Sequence, residues 1–241
     1  MTTRTIIHTE PVHESSLHSD DARYVTFGDG AHALFKPMLG GNIAGEVLAY
    51  QISNLTGFDV VPPTAEETIA GAQGSVQEWV EDATNAMTCV AVQPTAQQMV
   101  DIAKIVVLDM IMGQNDRHGQ NIVCTRDHMY AIDNESWGGR GRAAVLIEAL
   151  AYRCGDDGAI PPCHCPIIDM YLKHVLKRSD FRVLRTLVQK HCETALELET
   201  EIMNMVRAVG VERVRSTPLA ECVRYVERNF LVIRQFACRN I

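Results

Sequence analysis

The sequence predicts an α+β protein of two lobes, a small strand-rich one over residues 1–82 and a larger helical one over 83–241. Three observations predict it. A hairpin signature lies near the N-terminus, a long segment of helical periodicity runs over 96–112, and the second half repeats helical spacing with one proline-rich interruption.

The elements follow in order. Arg23–Phe27 and Ala31–Lys36 are rich in strand formers and are joined by Gly28-Asp29-Gly30, a hairpin turn sequence. Pro37 ends the second strand because it cannot donate to the ladder. From Ile43 to Leu55 the residues Val47, Leu48, Ile52 and Leu55 share a helical face, which Thr56-Gly57 closes. Val60-Val61-Pro62-Pro63-Thr64 reads as a short strand entering a turn, with a less distinct strand through Thr68–Ala70 and another at Ser75–Val80.

Glu78–Ala83 joins the lobes. The 96–112 helix carries Ile102, Ile105, Val106, Asp109 and Met110 at helical offsets. Ile122–Cys124 and Met129–Ile132 form a second hairpin around Thr125–His128, and the polar, glycine-bearing stretch 134–142 is a loop. Helices are expected over 143–152, 166–177, 180–208 and 218–237.

Composition narrows the function. With 46% hydrophobic and 22% charged residues the chain is an ordinary globular one, and a net charge of -8 argues against a mainly nucleic-acid-binding surface. No apolar run approaches a membrane span and Met1–Thr5 opens no signal peptide, so a cytosolic location, bacterial or in a phage-infected host, is expected. Eight cysteines fit reduced thiols there; Cys154, Cys163, His164 and Cys165 offer zinc-type ligands but lack paired Cys-x-x-Cys knuckles. His8, His13 and His18 recur every five positions, matching neither one helix face nor one strand face.

The chemistry concentrates in Asp116-Arg117-His118-Gly119-Gln120-Asn121-Ile122 and the following Tyr130-Ala131-Ile132-Asp133. Phosphoryl transfer needs a carboxylate to orient the nucleophile and hard oxygen ligands that hold magnesium against a triphosphate. Asp116 and Asn121 have the Asp-x4-Asn spacing of a protein-kinase catalytic loop. Asp116 would orient the acceptor hydroxyl and take its proton; Asn121 and Asp133 would supply metal-binding oxygens. His118, whose imidazole is the side-chain type able to relay protons, could instead be the base, a phosphate contact or a packing residue. Arg117 could offset phosphate charge or pair with a neighbouring carboxylate. Upstream, Lys36 ends a strand and Glu46 sits early on the next helix, so an ion pair could hold the ammonium toward phosphate; either residue alone would pass for surface charge.

Asp-Arg-His-x-x-Asn-Ile followed by an Ile-Asp strand resembles the catalytic and metal-binding segments of phosphatidylinositol 3- and 4-kinases and their relatives, and more loosely the HipA group of bacterial kinases. Leu34–Pro37 resembles their phosphate-binding lysine strand, Gly45–Tyr50 with Val61–Thr64 the helix and strand of small bacterial and phage members, and Gly74–Val80 the adenine-contacting hinge. The similarity spans about residues 30 to 135. It implies a bilobal protein-kinase-like fold, ATP, magnesium and transfer of the terminal phosphoryl group. By position, Lys36 and Glu46 serve the phosphates, Gln77, Glu78, Trp79 and Val80 the nucleotide, Asp116 or His118 the acceptor, and Asn121 and Asp133 the metal.

Three departures stand against that pattern. Asp133 is followed by Asn134-Glu135 rather than Phe-Gly, and no glycine-rich phosphate loop occurs, Glu14–Leu17 being a weak substitute. The long accessory domains of lipid kinases are also missing, and no basic cluster suggests a membrane surface, so the expected acceptor is a protein, with a lipid or small molecule less favoured. Two other readings use the same cleft: AMP transfer with the nucleotide reversed, and a nucleotide-binding pseudokinase, to which the altered Asp133-Asn134-Glu135 gives weight.

Overall fold

The computed structural model describes residues 5–11, 22–38, 40–86, 93–139, 142–154, 178–214 and 217–238. Strands β1 (Ile6–Pro11), β2 (Arg23–Phe27), β3 (His32–Pro37), β4 (Thr64–Ile69) and β5 (Ala72–Glu78) form an antiparallel sheet in the order β1-β2-β3-β5-β4, with helix α1 (Gly40–Leu55) between β3 and β4. The β2–β3 turn is fixed by Gly30 at φ 83° and by the Asp29 carboxylate, which accepts the Ala31 amide at 3.0 Å.

Alternation along β3 sets up the site. Ala33 and Phe35 enter a small core with Val25, Phe27, Ile69 and Val76, so Leu34 and Lys36 face the other side of the sheet. Helix α1 buries Leu48, Ala49 and Ile52 in a second, larger core that it shares with the helical lobe. The Thr56 hydroxyl donates to Ile52 O at 2.8 Å and Gly57 turns left-handed at φ 65°, which ends the helix.

The short strand expected at Val60–Val61 does not form. The Ser53 hydroxyl accepts both Val60 and Val61 amides, and Val60 O accepts Ala131 N at 2.7 Å, so these backbone groups tie α1 to the second lobe and β4 begins only at Thr64. Ala70, expected within a strand, instead lies in the β4–β5 turn with φ 52°, next to Gly71.

Beyond β5 the chain enters a three-stranded sheet, β6 (Thr84–Asn85), β7 (Ile122–Cys124) and β8 (Met129–Ala131), packed with helices α2 (Ala96–Met112), α3 (Arg142–Cys154), α4 (Arg178–Glu197), α5 (Glu199–Arg207) and α6 (Leu219–Ala237). A two-residue pairing of β9 (Arg213–Val214) with β10 (Thr217–Pro218) precedes α6. A capping box of Thr95 and Gln98 opens α2, and Gly113 in the left-handed region closes it. The single helix expected over 180–208 breaks at Leu198, whose dihedrals leave the helical range; its amide turns back to Ala195 O while its carbonyl starts α5 by accepting Ile202 N. The helix expected over 166–177 lies outside the described residues. Among those described, no helix is long and apolar enough to cross a membrane.

Candidate active site

Lys36 reaches inward from the end of β3 and is only 6% exposed. Its ammonium donates to Glu46 Oε1 at 3.0 Å and to Asp133 Oδ1 at 2.6 Å. Burial opposes a charge here, but the two carboxylates outweigh it and hold the lysine pKa above its ordinary value. Lys36, Glu46 and Asp133 therefore form one charged cluster drawn from a strand, a helix and the loop after β8. The helix can approach because residue 45 is glycine: a Cβ there would lie 2.5 Å from Trp137 Cδ1 and 2.9 Å from Asn134 O. Asp133 itself has φ 60°, a left-handed conformation that Asp and Asn tolerate better than most residues.

The catalytic-type loop is built around Arg117, which is 1% exposed. All five of its N–H donors are used: Nε and Nη2 on Asp109 of α2, Nη1 on Asn121 O and Ile132 O, and the second Nη2 proton on Asn134 Oδ1. Of the two roles open to Arg117 from sequence, the structure provides the carboxylate pair. Asn121 donates its Nδ2 to Asp116 O at 2.7 Å, which leaves its Oδ1 as the atom able to meet a cation. Gln114 clamps the loop from both sides, accepting the Asp116 amide and donating to Asp133 O.

His118 Nδ1 accepts the Gln120 amide at 3.3 Å and caps the 3-10 turn Gly119–Asn121; Asp116 is exposed. Three contributors to this network were not singled out by sequence reasoning. Asp109 looked like one more position on a helix face and Asn134 like a mere departure from pattern, while Gln114 carried no sequence signal. A buried-face acid on α2 eight residues before Arg117 was the available signal for the first.

A cleft of about 200 Å³ lies between the lobes. Leu34, Gln77, Glu78, Trp79 and Val80 line it together with Asn121, Ile132 and Asp133, while Lys36, Glu46, Asp116 and His118 are not in the lining. Gln77 is anchored through Nε2 to Thr64 Oγ1, whereas Trp79 is 42% exposed and meets Tyr24 edge-on. Asp133 and Asn121 bring a carboxylate and an amide oxygen, a donor pair suited to a hard divalent cation. The serines of Glu14–Leu17 and the side chains of Cys154, Cys163, His164 and Cys165 lie outside the described residues.

The chain is similar to the crystal structure of a Helicobacter pylori proinflammatory kinase, CtkA, with a TM-score of 0.55 and 10% sequence identity over 97% of this chain and 96% of that one. The fold is kinase-like and bilobal. No protein-family model matches the sequence, and no curated protein matches it.

Proposed function

We propose that the protein is a kinase that transfers the terminal phosphoryl group of magnesium-ATP to a hydroxyl, most readily on a protein, within the cytosol. The observation that carries this reading is the position of Lys36, held by Glu46 and Asp133 beside a cleft whose lining runs from Gln77–Val80 to Asn121 and Asp133. The phosphoinositide-kinase-like sequence of residues 116–133 supports the same roles, as does the fold shared with a kinase.

The cleft would take a base and sugar against Gln77, Glu78, Trp79 and Val80, with the phosphates toward Asp133, whose carboxylate Lys36 meets. Lys36, held by Glu46, would meet a phosphate oxygen, and Asp133 and Asn121 would hold magnesium. Magnesium supplies charge neutralisation on the phosphates. Asp116 is the better base: it is exposed where an acceptor can reach it, while the His118 Nδ1 lone pair is engaged by Gln120.

The test is incubation of the protein with a cell lysate and ATP labelled on the terminal phosphate, with magnesium or with a chelator, beside the Asp133→Asn variant. The variant keeps a side chain that tolerates the left-handed backbone, so loss of signal reports chemistry rather than strain. A labelled protein that depends on both magnesium and Asp133 is expected. No label from the terminal phosphate, with label reaching the acceptor in a parallel incubation with ATP labelled on the α-phosphate, would replace this reading with nucleotidyl transfer.

A further inference from the structure

We propose that Asn134 is a positioning residue: a buried amide that couples helix α1 to the catalytic loop and thereby fixes where Lys36 and Asp133 stand. The inference rests on the kinase reading above and deepens it.

Asn134 is almost fully buried and sits between two groups of opposite hydrogen-bonding character. On one side is the Glu46 carboxylate, which only accepts; its Oε2 receives the Asn134 backbone amide at 3.0 Å and Nδ2 at 3.3 Å. On the other is the Arg117 guanidinium, which only donates and meets Asn134 Oδ1 at 2.5 Å. A primary amide has a donor end and an acceptor end on one rigid plane, so it satisfies both neighbours without adding charge. An aspartate would set a second carboxylate against Glu46, and an apolar side chain would leave a guanidinium N–H without its partner and Glu46 Oε2 with the backbone amide of residue 134 alone.

The consequence reaches the ammonium through Glu46. One oxygen of that carboxylate holds Lys36 and the other holds Asn134, so the plane of the carboxylate, and the point to which it draws Lys36, is set from the Asn134 side. Asp133 is the preceding residue, its backbone oxygen pinned by Gln114, and α1 closes on the same segment through Gly45. Arg117 carries the linkage to Asp109 in α2 and to the Asn121 carbonyl. A phenylalanine-type side chain at position 134 could not join these groups. The altered segment is therefore a different way of holding the same cluster, rather than a mark of lost activity.

The test uses Asn134→Ala and Asn134→Asp in the full chain, with KM for magnesium-ATP, kcat, and nucleotide affinity read by calorimetric titration. Both variants are expected to raise KM and the dissociation constant by about 10–100-fold, the usual scale for a residue supporting a ligand from behind. Asn134→Asp is expected to recover part of its nucleotide affinity when combined with Glu46→Gln, whose amide can turn a donor toward the new carboxylate. An unchanged KM with a smaller active fraction would mean a purely structural role and overturn the proposal. So would an equal penalty for Asn134→Asp with and without Glu46→Gln. If Asn134→Asp fails to fold, the KM of Asn134→Ala decides alone. Absence of magnesium-ATP binding by the unaltered protein would overturn the kinase reading itself, and this inference with it.

Discussion

Replacing Arg117 by methionine tests the central polar network through stability. The substitution keeps an unbranched side chain but deletes a guanidinium whose five donors are all engaged in the interior. Asp109, itself 2% exposed, would lose its guanidinium and remain a carboxylate in a low-dielectric site. Breaking a buried ion pair from one side typically costs about 3–5 kcal/mol. That is a large part of the ~5–15 kcal/mol that holds an ordinary domain folded. For a chain of this size each kcal/mol moves Tm by about 2–4 °C, so the expected fall is about 6–20 °C by calorimetry or thermal circular dichroism. Adding Asp109→Leu to Arg117→Met should recover much of the loss, because the buried carboxylate that faced the guanidinium is then gone. A shift below about 2 °C for the single variant, or a double variant no better than the single, would refute the assignment of Arg117 as the buried keystone of the loop.

Three further outcomes are expected. Lys36→Met should lower phosphoryl-transfer turnover by about 10²–10³-fold, the scale for deleting one preorganised charge from a reacting site, measured as kcat with labelled ATP. Gly45→Ala should cost about 1–3 kcal/mol of stability and reduce turnover, because its methyl group would collide with Trp137 and the Asn134 carbonyl; urea denaturation and the same kinase assay check it. The third concerns His191, whose pKa is lowered to about 4 by burial and then by Lys104 and Lys190, with Asp101 opposing. Since the unfolded chain takes up this proton near the ordinary value of 6.5 and the folded chain does not until about 4, His191 contributes stability above pH 6.5 that is lost as pH falls through that window. The ring is only partly buried, so the loss is worth about 1–2 kcal/mol rather than the full shift. Urea midpoints of His191→Gln should fall less steeply than wild type between those pH values.

Features that were local in the chain were legible in the sequence. Asp29-Gly30 marked the β2–β3 hairpin, and apolar periodicity fixed α2 at Ala96–Met112. The resemblance put Lys36 and Glu46 at the phosphates and Asp133 at the metal of one site, and the structure joins the three at hydrogen-bonding distance.

What escaped was decided by tertiary partners. Val60–Val61 has strand composition, yet the Ser53 hydroxyl and the Ala131 amide claim its backbone. Strand β1 lies at a sheet edge and is exposed along nearly its whole length, so no inward–outward alternation marks it. The value of Asn134 depends on Glu46, 88 positions away, and on Arg117 meeting it from the other side. Neither separation leaves a periodic trace.

The most direct measurement is calorimetric titration of the protein with ATP, in magnesium and again in chelator, alongside Asp133→Asn and Lys36→Met. Saturable binding at one site, strengthened by magnesium in the unaltered protein and weakened in both variants, is the expected result. Equal heats for all three proteins, or none for any of them, would contradict a magnesium-nucleotide site at Lys36, Asn121 and Asp133.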